Sequence, residues 1–107
     1  MSQQITLSDT PGGYETVAAS QTDQAMGSVG ARGDYLQAIL VIPATTSPGA
    51  ISVKDGSTSI TVFTGGASSV TNLVPFSIFL GMRALNGGGW LVTTGASVSA
   101  IVTGNFS

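Results

Sequence analysis

The chain has no histidine and no cysteine, and its only charges are three basic and five acidic side chains among 107 residues. General acid–base catalysis uses histidine most often, and nucleophilic catalysis often uses cysteine or a serine activated by histidine. Structural zinc sites are built from cysteine and histidine, and a disulfide requires cysteine. We therefore expect a protein that is not an enzyme, that has no cofactor or metal, and that acts through its shape and surface.

The scarcity of charge also limits the partners that the chain is expected to bind. Nucleic acids are bound by clustered lysine and arginine, whereas Arg32, Lys54 and Arg83 are widely separated in a sequence of net charge −2. The longest wholly apolar run, 38–44, is far shorter than the ~20 residues of a membrane-spanning helix. The first residues lack the basic and apolar regions of a signal peptide. These patterns predict synthesis in the cytoplasm and binding to neither nucleic acid nor membrane.

What the sequence does contain is glycine, serine, threonine and β-branched residues in short alternating segments. Alternation of apolar and polar residues between glycine-rich turns is typical of strands in an all-β protein. The expected architecture is a single β-sandwich, similar to a jelly roll, of about seven to eight strands over residues 14–107. Residues 1–13 precede it as an extended N-terminal arm that ends in Pro11-Gly12-Gly13.

Two segments give the most specific structural predictions. The run 34–43 is apolar on both faces until Pro43 stops it, which predicts a central strand buried on both sides. Asp55-Gly56, between segments 50–54 and 57–63, is a favoured two-residue hairpin turn. Combining these segments with the later strands gives a predicted core that includes Leu36, Leu40, Ile42, Val62, Ile78, Val98 and Val102.

Several motifs allow a structural as well as a functional interpretation. Arg32-Gly33-Asp34 spells an integrin-type adhesion tripeptide, but a turn entering the next strand explains its glycine and aspartate equally well. The five acids are scattered and form neither a calcium-binding loop nor a local carboxylate pair. Trp90 opens an apolar strand and is expected in the core, although an exposed Trp90 would suit stacking against a sugar. Pro75 predicts that the strand around it lies at a sheet edge or contains a bulge.

The arm contains the candidate partner-binding residues. Ile5 and Leu7 are the only large apolar residues between Met1 and Tyr14. They are two positions apart, so both side chains face the same way if the arm is extended. A frayed terminus is the alternative interpretation. If the arm is functional, Ile5 and Leu7 are expected to contact a partner protein or another copy of the chain.

A family resemblance rests on a further set of turns. Lys54-Asp55-Gly56, Pro75-Phe76, Gly88-Gly89-Trp90 and Thr93-Thr94-Gly95-Ala96 lie in a stretch, 33–106, that resembles small structural proteins encoded among the virion genes of tailed bacteriophages. Several of these are capsid cement (decoration) proteins, which bind the outside of the head as homo-oligomers, commonly trimers, and clamp neighbouring major capsid subunits.

The resemblance implies a cement protein on the outer capsid surface of a virion, made in the host cytoplasm. Its partners would be the major capsid protein and other copies of itself, with a trimer favoured over a dimer. Other proteins that the chain resembles belong to tails or spikes. A receptor- or glycan-binding module of a tail fibre or spike is therefore the alternative, and a hydrolase-associated module is a third possibility that lacks candidate catalytic residues.

Overall fold

The computed structural model describes residues 13–107, in which every regular element is a β-strand. The predictions made for residues 1–12, including those for Ile5 and Leu7, lie outside the described residues. The strands are β1 (Gly13–Val17), β2 (Gln24–Ala25), β3 (Tyr35–Pro43), β4 (Ile51–Asp55), β5 (Thr58–Phe63), β6 (Phe76–Arg83), β7 (Trp90–Thr94) and β8 (Val98–Asn105).

These strands form two antiparallel sheets that confirm the predicted sandwich. The first sheet has the order β1-β8-β3-β6 and the second has the order β2-β7-β4-β5. Within them β1 pairs with β8, β2 with β7, β3 with β6 and β4 with β5. This pattern arises when one long antiparallel hairpin is rolled into two layers, as in an eight-stranded jelly roll.

The β4–β5 connection is the only one between consecutive strands of the described chain that stays within a sheet. Asp55 pairs with Thr58, so the turn consists of Gly56 and Ser57 and lies one residue later than predicted. Gly56 has a φ of 62°, and Ser57 has no positive φ, which fits a turn that requires glycine at its first central position. The glycine-rich segment before Trp90 is not a hairpin turn within one sheet, because it carries the chain from β6 in the first sheet to β7 in the second.

A bulge in β3 changes which side chains enter the core. From Leu36 to Ile39 this strand takes three steps, while its neighbour β8 takes two, from Gly104 to Val102. Gln37 is therefore an extra residue, and Leu36 and Ile39 both face inward. The prediction that Leu40 shares a face with Leu36 is wrong, because strict alternation does not hold across a bulge.

The core lies between the two sheets and contains three of the seven predicted residues in fully buried form, namely Leu36, Val98 and Val102. Val62 and Ile78 are partly buried and pack against it. Leu40 and Ile42 are half-buried on the outer face of the first sheet, so the prediction that β3 is buried on both sides does not hold for the isolated chain. The other buried hydrophobic residues are Val17, Met26, Ile39, Val41, Ile51, Val53, Ala84, Trp90, Val92 and Ala100.

Candidate interaction surface

The outer face of the first sheet carries a set of apolar side chains in register across its four strands. In one cross-strand row, Phe79 lies opposite Ala38, Ala38 opposite Thr103, and Thr103 opposite Tyr14. In the next row Leu40 lies between Ser77 and Ile101. We call this surface the apolar face and define it by six residues, Tyr14, Ala38, Leu40, Ile42, Phe79 and Ile101.

The apolar face is accessible to a partner. Phe79 is 72% exposed and Tyr14 is 68% exposed, while the four other residues are half-buried. Four strands about 4.8 Å apart, with a rise of about 3.3 Å per residue over residues 38–42 of β3, give a projected area on the order of 300 Å². The largest apolar patch on a typical monomer is about 300–600 Å² and often functional. The apolar face therefore has the size of an interaction site.

Charge on this side of the first sheet is confined to one end. Among the described residues of its four strands, Arg83 is the charged side chain that faces outward, with its guanidinium carbon 5.2 Å from the centre of the Tyr35 ring. A cation at that distance from a ring is attracted by the negative face of the π system. Glu15 of β1 instead accepts a hydrogen bond from the Gly27 backbone N–H. A partner can cover the apolar face without desolvating an isolated charge.

The adhesion-like tripeptide is used to stabilise the fold. Asp34 is 7% exposed, and its carboxylate accepts hydrogen bonds from the Ala31 N–H at 3.1 Å and from the Ser107 hydroxyl at 2.9 Å. Its backbone carbonyl accepts the Trp90 indole N–H at 3.0 Å. The structural interpretation of Arg32-Gly33-Asp34 is therefore the one that fits, since the carboxylate is turned into the protein.

Trp90 occupies the core, as expected, with 2% of its surface exposed. Its indole N–H is donated to the Asp34 carbonyl inside the protein. Because the ring is buried, neither of its faces can stack against a sugar. The exposed aromatic residues are Phe79 and Tyr14 instead, which the sequence analysis did not identify as site residues. Phe79 alternates out of phase with the inward-facing residues of β6, and that alternation is the sequence signal that could have identified it.

No group of three or more acidic residues that could hold a metal ion occurs among residues 13–107. Within the same range, no helix is long and apolar enough to cross a membrane. Comparison of the chain with protein-family models, with curated proteins and with solved structures finds no significant match.

Proposed function

We propose that the chain is a non-enzymatic capsid cement protein of a bacteriophage, which self-associates and binds the outer surface of the head. In this role it stabilises contacts between major capsid subunits. The observation that carries the proposal is the apolar face, on which a 72% exposed Phe79 lies beside Leu40 and Ala38. An exposed apolar surface of this size is suited to being covered by another protein.

The composition of the surface supports permanent coverage. Hydroxyl and amide groups cost far less to desolvate than charged groups, and this chain has eight charged side chains, three basic and five acidic. Each copy on a shell adds a modest binding free energy, and linked contacts made by an oligomer raise the overall affinity without any new type of contact. A sandwich with few charged side chains has a low desolvation cost, and its apolar outer face provides a contact that can be repeated in each copy.

The sequence resemblance indicates which partner protein to expect, namely a protein of a phage head. A jelly roll alone does not specify function, because the same fold hosts unrelated activities. The stretch 33–106, which resembles virion structural proteins, contains most of the apolar face, including Leu40, Phe79 and Ile101. The apolar face and the sequence resemblance both favour a role in assembly, with a trimer as the expected oligomer.

A receptor- or glycan-binding module of a tail fibre or spike is the second candidate. The observation that favours it is the exposure of two aromatic rings, Tyr14 and Phe79, in one cross-strand row. Aromatic rings can form a platform for a flat ligand. The burial of Trp90 removes the residue that the sequence favoured for this role. The two candidates place the chain in different parts of a virion, so they can be separated directly.

The test is to locate the chain in virions purified from the bacterium that produces it. Heads and tails are separated, and each fraction is analysed by mass spectrometry. A cement protein is found with the heads and is labelled on intact particles by antibodies against the chain. Detection in tails alone would favour the alternative, and absence from particles would contradict both candidates. Phe79→Lys should lower head occupancy at least tenfold, whereas Thr61→Lys, on the outer face of the second sheet, is the matched control.

A further inference from the structure

The sandwich is open along the side where β5 and β6 form the sheet edges. Ile60 pairs with the fully buried Val53, yet it is 36% exposed. The inward-facing residues of β6 are all half-buried, namely Phe76, Ile78, Leu80 and Met82. On the opposite side, the Gln24 side-chain amide donates to the Thr16 carbonyl at 3.0 Å and links the two layers. Among residues 13–107, the β5–β6 side is the one that leaves inner apolar surface uncovered to this extent.

A cavity of about 290 Å³ lies in this opening. We call it the β5–β6 cleft and define it by its lining residues, Asp55, Thr58, Ile60, Met82, Arg83, Leu85, Asn86 and Trp90. A second, larger cavity lies near Phe63 and Phe76, whose rings meet edge to face with their centres 5.5 Å apart.

One wall of the β5–β6 cleft is held in place by a buried carboxylate. Asp55 is 6% exposed and accepts hydrogen bonds from the backbone N–H groups of Leu85 at 2.8 Å and Asn86 at 3.2 Å. The Asn86 side chain donates in turn to the Asp55 carbonyl at 3.1 Å. These bonds fix Leu85 beside the cleft although 73% of its surface is exposed. An exposed leucine that is held rigidly is suited to contact another apolar group.

The shape of the opening is suited to an extended strand with apolar residues at alternate positions. Edge strands bind such segments by backbone hydrogen bonds, and pockets take every second side chain. An apolar cavity of about 150 Å³ accommodates benzene, so the β5–β6 cleft has room for two aliphatic side chains. We propose that Ile5 and Leu7 of a neighbouring copy occupy the β5–β6 cleft. They belong to the alternating segment Gln4-Ile5-Thr6-Leu7-Ser8.

The chain path favours a neighbouring copy over the same copy. Gly13 pairs with Gly104, Gly104 with Leu36, and Leu36 with Met82, which places Gly13 three strand spacings, or about 14 Å, from β6. The six residues from Leu7 to Gly13 span at most about 20 Å. This length exceeds the direct distance only slightly and leaves little chain for a longer path. Within one copy, the segment would also have to pass around the ends of β8 and β3. A neighbouring copy imposes no such detour.

An arm that binds the cleft of the next copy forms a head-to-tail contact, which closes into a ring when the rotation between copies allows it. Such a ring is compatible with the trimer expected from the sequence. The inference rests on the self-association in the proposed function, but it does not depend on the identity of the shell.

Because the chain has no cysteine, single cysteines report the contact without background. The full-length Leu7→Cys variant is mixed with the full-length Leu85→Cys variant and oxidised, and covalent dimers are measured on non-reducing gels. We expect at least tenfold more mixed dimer than in a control mixture of Leu7→Cys with Thr61→Cys. Thr61 lies beside Ile60 on β5 but is in the opposite phase.

Equal cross-linking of Leu7→Cys to Leu85→Cys and to Thr61→Cys would overturn the inference. An intrachain link in the monomeric double variant Leu7→Cys/Leu85→Cys would also overturn it, because the segment would then fill its own cleft. As a second measurement, Leu7→Lys should weaken self-association at least tenfold, since it would place a charge beside Ile60 and Met82 in the cleft, whereas Thr6→Lys should change it less than twofold. Chains that decorate heads without the Leu7–Leu85 link would refute this contact and leave the proposed function intact.

Discussion

The two sheets have similar inner faces and very different outer faces. Both inner faces are built from fully buried aliphatic residues, such as Ile39 in the first sheet and Val53 in the second. On the outer face of the second sheet, Ser52 lies between Thr61 and Thr93, and in the next row Lys54 lies between Ser59 and Leu91. The outer rows of the first sheet carry the six residues of the apolar face together with hydroxyl side chains such as Ser77 and Thr103. The sandwich therefore has one mainly polar exterior and one more apolar exterior.

The difference between the two outer faces shows which apolar side chains are required for folding and which are not. An antiparallel sheet in a sandwich needs one apolar face for the core, and its other face is commonly polar. The second sheet follows this rule, but the first does not. Full burial of a single phenylalanine or leucine contributes about 1.5–3 kcal/mol, and Phe79 makes little of that contribution in the isolated chain because it is 72% exposed. Contact with a partner is the role that we propose for this surface.

The largest expected effect distinguishes the two faces of a single strand. Ile39→Ala, on the inner face of β3, should lower the free energy of unfolding by about 2–5 kcal/mol, because it leaves a cavity in the core. Leu40→Ala, on the outer face, should cost about 1 kcal/mol or less, since its side chain is only half-buried. Urea unfolding at protein concentrations where the chain is monomeric measures both values. Equal costs would contradict the observed β3 register.

Prediction from the sequence succeeded for features that depend on local chemistry. The hairpin near Asp55-Gly56, the edge strand that follows Pro75 and the buried Trp90 were recognisable because each depends on local chemistry: a turn glycine, a missing N–H, and a large apolar ring in an apolar segment. The two-layer all-β architecture followed from the alternation of short segments. These features need no knowledge of distant contacts.

The phase of β3 could not be predicted in the same way, because a bulge depends on pairing with neighbouring strands. Gln37 was the one available signal, because it is the only polar side chain between Tyr35 and Pro43. Its phase partners Ile39 and Val41 are fully buried, whereas strict alternation would have placed a glutamine beside them in the core. The apolar face was missed for this reason, since Leu40 and Ile42 were assigned to the interior.

The next effect concerns assembly rather than folding. Replacing an aromatic residue at the centre of an interface commonly costs 2 kcal/mol or more, which corresponds to about a 30-fold loss of affinity. Phe79→Lys should weaken self-association by at least this factor, whereas Thr61→Lys, at an exposed position of the second sheet, should leave it nearly unchanged. Sedimentation equilibrium measures both constants. Equal losses, or an unmodified chain that is strictly monomeric at micromolar concentration, would remove the distinction between the two exteriors.

A smaller effect is expected at the hairpin tip, which belongs to the second sheet alone. Gly56→Val should lower the free energy of unfolding by about 1 kcal/mol or more, because a β-branched residue resists positive φ. A Cβ at this position would also lie 2.9 Å from atoms of the Asn86 side chain. Ser57→Val is the matched control and should have little effect. If the free energy of unfolding of Gly56→Val equals that of the unmodified chain, the turn does not require glycine.

The smallest effect is expected at the charges of the polar exterior. The Lys54 ammonium lies 3.6 Å from the Asp23 carboxylate, and both side chains are more than a third exposed. Solvent screens such a pair, so Lys54→Ala should change the free energy of unfolding by about 0.5 kcal/mol or less. Asp23→Ala should cost more, because Asp23 also accepts a hydrogen bond from the Thr93 hydroxyl and has a φ of 51°. Neither variant should alter self-association, because the polar exterior is expected to remain in contact with water. A double-mutant cycle, run at low and high salt, measures the coupling. Loss of the oligomer in Lys54→Ala would show that the second sheet also contributes to assembly, and the contrast between the two exteriors would no longer identify the binding surface.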